Sequence, residues 1–132
     1  MEQKTDVRNE LFNDLRLILL ELKPEHEEII LDFFKTQIKA LALFRDKQYD
    51  YGPENISNFG DIGVLIRLND KVERLKNLMF SDKEAHNESI ADTWIDIGNY
   101  GLIGLMCANG TWPNVKQYEI TKVEGTDDED PE

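Results

Sequence analysis

The chain contains little of several residue types, and each scarcity excludes a class of protein. Its 132 residues include one cysteine, four prolines and only 15 lysines and arginines, against 27 aspartates and glutamates. The single cysteine, Cys107, cannot form an internal disulfide, and no Cys/His cluster suggests zinc. The formal charge of −12 disfavours direct binding to nucleic acid or to anionic membranes, because both are themselves negatively charged.

Long hydrophobic runs are also missing. The longest apolar stretch, residues 95–108, contains Asp96 and Asn99 and is shorter than the ~20 residues that a bilayer requires. The first ten residues are polar and lack the apolar core of a signal peptide. We therefore expect a cytoplasmic protein that does not associate with membranes.

No segment shows the alternation typical of strands, but apolar residues recur at helical spacing over about 6–22, 24–47, 62–80 and 88–108. Short connections between these segments predict an all-α, antiparallel four-helix bundle. The glycine-rich, aromatic segment 48–63 is predicted to be a structured loop that shapes a pocket. We expect one helical domain over residues 1–123, whose short C-terminal extension folds back from Trp112-Pro113, and an acidic disordered tail over 124–132.

The fourth predicted helix carries an acidic stripe on an otherwise apolar surface. Glu88, Asp92, Asp96 and Asn99 fall at i, i+4, i+8 and i+11 and therefore lie on one face. Buried carboxylates must be paired or bound to a cation, and hard oxygen ligands suit Mg²⁺ or Mn²⁺. The alternatives are a solvated face, or ion pairs across the bundle to an arginine of the third helix without any metal.

The third predicted helix carries a second polar stripe, with Arg67, Asp70, Lys71 and Arg74 at i, i+3, i+4 and i+7. Cations beside a carboxylate cluster can bind phosphate oxygens that a metal leaves unneutralised. The alternative is that Asp70 pairs with Arg67 and Arg74 within the helix, which would contribute only a few tenths of a kcal/mol. The spacing alone does not decide between these interpretations.

Three glycines, Gly98, Gly101 and Gly104, lie inside the fourth helix, where each costs about 1 kcal/mol relative to alanine. A face of small residues allows another helix to approach closely, from the same chain or from a second one. This pattern slightly favours an oligomer, and we expect a homo-oligomer, either a dimer or a tetramer.

Several short motifs follow one another over about residues 47–105. They are Lys47-x-Tyr49-Asp50-Tyr51-Gly52, Asn58-Phe59-Gly60, Gly63, Arg67-Leu68-x-Asp70-Lys71-x-x-Arg74-Leu75, Glu88-Ser89-Ile90-x-Asp92-Thr93, Asp96 and Asn99-Tyr100. Together they resemble the family called nucleotide modification associated domain 1, which is common in phages and is considered akin to the MazG-like all-α NTP pyrophosphohydrolases.

The resemblance implies a Mg²⁺-dependent enzyme that cleaves a (d)NTP into monophosphate and pyrophosphate. Asp92, Asp96 and Glu88 would then be the catalytic residues and, with Asp70, the metal ligands. The substrate would be contacted by residues that bind phosphate, base or sugar: Lys47, Arg67, Lys71, Arg74, Asn99, Tyr49 and Tyr51.

One departure from the hydrolase pattern keeps two other functions open. The pyrophosphohydrolases usually carry Glu-Glu-x-x-Glu on the second helix, whereas here Glu27-Glu28 is followed by Leu31. The chain could therefore bind and sequester a nucleotide or signalling nucleotide without cleaving it. A third possibility is a structural interaction bundle whose polar stripes form salt bridges.

Overall fold

Helices make up all the regular structure in the computed structural model, which describes residues 2–116, with side chains from residue 6 onward. In chain order these are α1 (Glu2–Leu20), a 3-10 turn (Pro24–His26), α2 (Glu27–Tyr51), α3 (Glu54–Ser57), α4 (Gly60–Phe80) and α5 (Ile90–Ala108). The prediction of an all-α protein is confirmed for this range. None of these described helices is long and apolar enough to cross a membrane. The end of the predicted extension and the predicted acidic tail lie outside the described residues.

The predicted loop over residues 48–63 was wrong, because most of this segment is helical. Helix α2 continues to Tyr51, α3 occupies Glu54–Ser57, and α4 already begins at Gly60. Gly52 and Gly60 have φ angles of 68° and 60°, so they end one helix and introduce the next. The glycines therefore separate three helices at two points, and the segment between them is not a continuous loop.

The chain divides into two compact units, Met1–Ala42 and Leu43–Glu132. The first unit contains α1 and the beginning of α2. Among its described side chains, 6–42, none is fully buried, and its large apolar residues, such as Phe12 and Phe33, are mostly exposed.

The second unit holds the hydrophobic core of the described chain. Four buried side chains form its centre: Ile56, Val64, Ile103 and Trp112. Helices α4 and α5 pack against each other. They run antiparallel, because Val64, early in α4, lies close to Gly104, late in α5, whereas Lys71 lies beside Asp96. This packing places the polar residues of both helices at the same end of the core.

The segment after α5 folds back onto α3, as predicted from Trp112-Pro113. The Trp112 ring contacts Phe44 edge to face, with a centroid distance of 6.1 Å, and its Nε1 donates a hydrogen bond to the Pro53 carbonyl at 3.2 Å. Ser57 Oγ donates to the Pro113 carbonyl at 2.7 Å. Burying an aromatic ring with its polar atom satisfied stabilises the core strongly. The segment thereby fixes α3 and the end of α2, which both line the cavity described below.

Candidate functional site

The start of α5 is held by hydrogen bonds that orient its polar face. Ser89 caps the helix, because its Oγ accepts a hydrogen bond from the Asp92 backbone N–H at 3.0 Å. Thr93 is fully buried, and its Oγ1 donates to the Ser89 carbonyl at 3.2 Å. Arg74 of α4 donates to both Thr93 Oγ1 and the Glu88 carbonyl. Arg74 therefore ties α4 to the beginning of α5.

One turn further along α5, a buried carboxylate lies between two lysines from different helices. Asp96 is only 3% exposed. Its Oδ1 lies 2.5 Å from Nζ of Lys47, on α2, and its Oδ2 lies 2.8 Å from Nζ of Lys71, on α4. Lys71 Nζ also donates to Glu88 Oε2 at 2.9 Å. We call Lys47, Lys71, Glu88 and Asp96 the ion-pair network.

The network favours the charged forms of Asp96 and Lys71 in spite of their burial. Burial by itself raises the pKa of Asp96, but the hydrogen bonds from Lys47 and Lys71 outweigh it and hold the pKa below its usual value. Burial likewise lowers the pKa of Lys71, but hydrogen bonds to Asp96 and Glu88 raise it above its usual value. Both shifts favour the ion pair between the Asp96 carboxylate and the Lys71 ammonium group at neutral pH.

The network lies in the wall of a cavity of about 640 Å³, a volume within the range of small-molecule sites. The cavity is bounded by the end of α2, by α3, α4 and α5, and all of its lining residues belong to the second unit. Arg67 also lines it, held by a hydrogen bond from its Nη2 to the Asn55 carbonyl at 3.1 Å. Cationic, anionic and aromatic groups therefore share one concave surface.

The structure brings together eight of the predicted site residues and leaves three outside the cavity. Those that line it are Lys47, Tyr51, Arg67, Lys71, Glu88, Asp92, Asp96 and Asn99. Tyr49 does not line it and is 92% exposed, and Asp70 is exposed on α4. Arg74 is engaged at the start of α5 instead. The alternative interpretation expected an arginine of the third predicted helix to pair with Asp92 or Asp96. In the structure, Asp96 pairs with two lysines instead, Lys47 and Lys71.

Sequence reasoning missed Gln48, Asn55 and Tyr100, which also line the cavity. Gln48 and Asn55 lay inside the segment interpreted as a loop, so no helical face could be assigned to them. Tyr100 follows Asn99 directly, and its position next to the acidic stripe was the available signal. These residues supply two amides and, after Phe44 and Tyr51, a third aromatic ring to the cavity surface.

The carboxylates of the cavity could hold Mg²⁺ only together with ligands from outside the protein. Two carboxylates of α5, Asp92 and Asp96, line the cavity together with Glu88, which lies just before this helix, and oxygen atoms are the ligands that Mg²⁺ prefers. Among the described side chains, however, no three His, Cys, Asp or Glu residues are grouped so that they could hold a metal by themselves. Both oxygens of Asp96 are engaged by lysines. The residues therefore fit an ion that shares its ligands with phosphate oxygens, and do not form a protein-only metal cage.

Residues 2–116 are therefore helical in all their regular structure and contain a cavity lined partly by charged side chains. Residues 47–107 match the family model of nucleotide modification associated domain 1, which confirms the resemblance found in the motifs. This match contains α4, α5 and most of the cavity lining. No curated protein and no solved structure is significantly similar to the chain.

Proposed function

We propose that the cavity binds a nucleoside triphosphate. The observation that carries this proposal is the convergence of Lys47 and Lys71 on buried Asp96 inside a cavity within the matched domain. Ammonium and guanidinium groups bind phosphate oxygens, so Lys47, Lys71 and Arg67 are the phosphate-binding residues. Tyr51 and Asn99 would contact the base or the sugar. Arg74 would act as a positioning residue, since it holds the start of α5.

A finer proposal is pyrophosphohydrolysis, in which a (d)NTP is cleaved between its α and β phosphates to give monophosphate and pyrophosphate. The observation that favours it is that Glu88, Asp92 and Asp96 line the same cavity as the cationic residues. Mg²⁺ or Mn²⁺ arriving with the nucleotide would polarise a phosphate oxygen and lower the pKa of the attacking water. Asp92, which is exposed and outside the ion-pair network, is the carboxylate most available to such an ion.

The experiment that separates binding from cleavage uses the whole chain with each of the four common dNTPs and Mg²⁺. Chromatography for monophosphate and pyrophosphate reports cleavage, and the melting temperature reports binding. Cleavage that Asp92→Asn abolishes supports the hydrolase. A rise in melting temperature without products supports sequestration of the nucleotide. If no dNTP gives products or raises the melting temperature, the cavity is not a dNTP site. The interpretation as a structural interaction bundle is then favoured.

We further propose that the helices form a MazG-like antiparallel four-helix bundle and that the protein is a homo-oligomer. Its location would be the cytoplasm, where nucleoside triphosphates are found, or the host cytoplasm if a phage encodes the chain. The antiparallel packing of α4 and α5 supports the bundle. The face of α5 with Trp94, Gly98, Gly101 and Leu105 supports the oligomer, because it is exposed and uncharged in a chain of charge −12. Two copies would meet there without like-charge repulsion. Sedimentation should show a dimer or tetramer that Leu105→Glu dissociates, and a wild-type monomer would contradict the proposal.

A further inference from the structure

The formal charges of the ion-pair network cancel one another, and this balance limits which charged ligands can bind to it. Its two ammonium groups balance its two carboxylates, within a chain of formal charge −12. Asp96 is held on both oxygens, and Lys71 bridges Asp96 to Glu88. Arg67 and Asp92 line the same cavity outside the network, but a ligand of either sign that binds within the network itself must displace an existing ion pair.

A divalent cation alone is disfavoured at Asp96. To reach the carboxylate it must take the place of an ammonium group, and Lys47 and Lys71 would then lie beside a second positive charge. Like charges at such distances repel, most strongly where solvent is excluded.

A polyphosphate alone is disfavoured for the opposite reason. Its oxygens compete with Asp96, which is 3% exposed, for Lys47 and Lys71, and each ammonium group that shifts toward phosphate weakens its contact with this buried carboxylate. A buried carboxylate that loses its partners is strongly destabilised. Phosphate oxygens would also lie close to Glu88 and Asp96, both negatively charged.

When both ligands are present, each offsets the unfavourable electrostatic effect of binding the other alone. The cation compensates Asp96 while the two lysines transfer to the phosphate oxygens. We propose that the ion-pair network makes the binding of a divalent cation and of a polyphosphate mutually dependent, so that the site accepts the pair and resists either member. This inference rests on the proposed nucleotide site, and it adds a coupling between two ligands that must be reciprocal.

Isothermal titration calorimetry of the full chain tests the coupling in three arms: MgCl₂ alone, the α,β-imido analogues of dATP, dCTP, dGTP and dTTP in EDTA, and the same analogues with Mg²⁺. The analogues cannot be cleaved between the α and β phosphates, so only binding is measured. We expect the best-binding analogue to bind about 10- to 100-fold more tightly with Mg²⁺ than in EDTA. These wild-type arms do not depend on any variant folding correctly.

Lys47→Met sharpens the test because its two expected effects have opposite signs. Removing this ammonium group should raise the affinity for Mg²⁺ alone, since Asp96 loses a competing cation, and should weaken binding of the analogue with Mg²⁺. Lys47 is on the surface side of the network, with 40% of its side chain exposed. The matched control is Lys76→Met, which removes an exposed lysine of α4 that pairs with Glu73 and should change neither affinity.

The outcomes separate this inference from the function on which it rests. An analogue that binds equally well in EDTA and in Mg²⁺ overturns the coupling and leaves nucleotide binding standing. A loss of affinity in both arms of Lys47→Met also overturns it. If no analogue binds in any arm, the proposed nucleotide site itself fails, and the coupling fails with it.

Discussion

The two units of the chain treat the same kinds of residue differently. In Leu43–Glu132 the described part has a core of buried apolar side chains, and its acidic and basic residues meet in the ion-pair network. In Met1–Ala42 the described apolar side chains stay largely exposed, and the acidic residues lie on the surface. Both units contain many acidic, basic and apolar residues, although all eight glycines lie in the second unit. The difference teaches that a site requires a core able to exclude water from its charges.

The largest contrast should come from aromatic side chains. Trp112→Ala removes a 4%-exposed ring that contacts Phe44 and bonds to Pro53, and we expect it to lower the free energy of unfolding by about 4 kcal/mol. Phe33→Ala, at a residue of the first unit that is 65% exposed, should cost less than about 1 kcal/mol. Urea denaturation followed by circular dichroism measures both. Equal costs would mean that the Phe33 side chain is buried from solvent as well as the Trp112 side chain is.

The second contrast compares two aspartates. Asp96→Asn leaves Lys47 and Lys71 without their shared buried partner, and we expect a cost of about 3 kcal/mol. Asp32→Asn, at an exposed position of α2, should change stability by no more than about 0.5 kcal/mol. The same denaturation curves provide the values. If Asp96→Asn is as mild as Asp32→Asn, the network does not form.

The third contrast compares two threonines that both bond to a carbonyl four residues earlier. Thr93→Val removes one of the two acceptors of the Arg74 guanidinium and leaves its Nη1 unpaired, and we expect a cost of about 1.5 kcal/mol. Thr36→Val removes only an exposed bond to the Asp32 carbonyl and should be close to neutral. Thermal unfolding of the two variants checks this difference. A neutral Thr93→Val would show that Arg74 does not hold the start of α5.

The smallest effect concerns pH. Because the folded pKa of Asp96 lies below its usual value of 3.8, its ionised form stabilises the fold. This contribution is fully present above the unfolded pKa and is lost as the pH falls through the folded pKa. Between pH 5 and pH 3, wild type should therefore lose more stability than Asp96→Asn. Denaturation at several pH values measures the two slopes, and parallel slopes would exclude this role for Asp96.

The sequence was sufficient for features that depend on local periodicity. The polar face from Asp92 to Asn99 and the fold-back at Trp112 follow from residue spacing and turn signals, and the described structure contains both. Glu88, predicted to begin the same helical stripe, instead precedes α5, which starts at Ile90, although it lines the same cavity. Glycine density misled the interpretation of residues 48–63, because two positive-φ glycines mark helix ends without breaking the helices between them. Gln48 and Asn55 were missed for this reason.

The partner of each charge could not be predicted. Spacing placed Lys71 and Arg74 on one stripe of α4, yet Lys71 enters the ion-pair network while Arg74 bonds to Thr93 and the Glu88 carbonyl. Lys47 was recognised only through the family motif, since its role depends on how the end of α2 packs beside α5. Contacts between residues 49 positions apart are set by tertiary packing and leave no local pattern.

The most direct test of the central claim, a nucleotide cavity in the second unit, is hydrogen–deuterium exchange with and without the four dNTPs and Mg²⁺. Amides that become ordered around a ligand exchange more slowly. We predict that at least one dNTP slows exchange in residues 47–55 and 88–100, which line the cavity, while residues 2–42 are unchanged. Protection confined to residues 2–42, or none with any dNTP, would contradict the account.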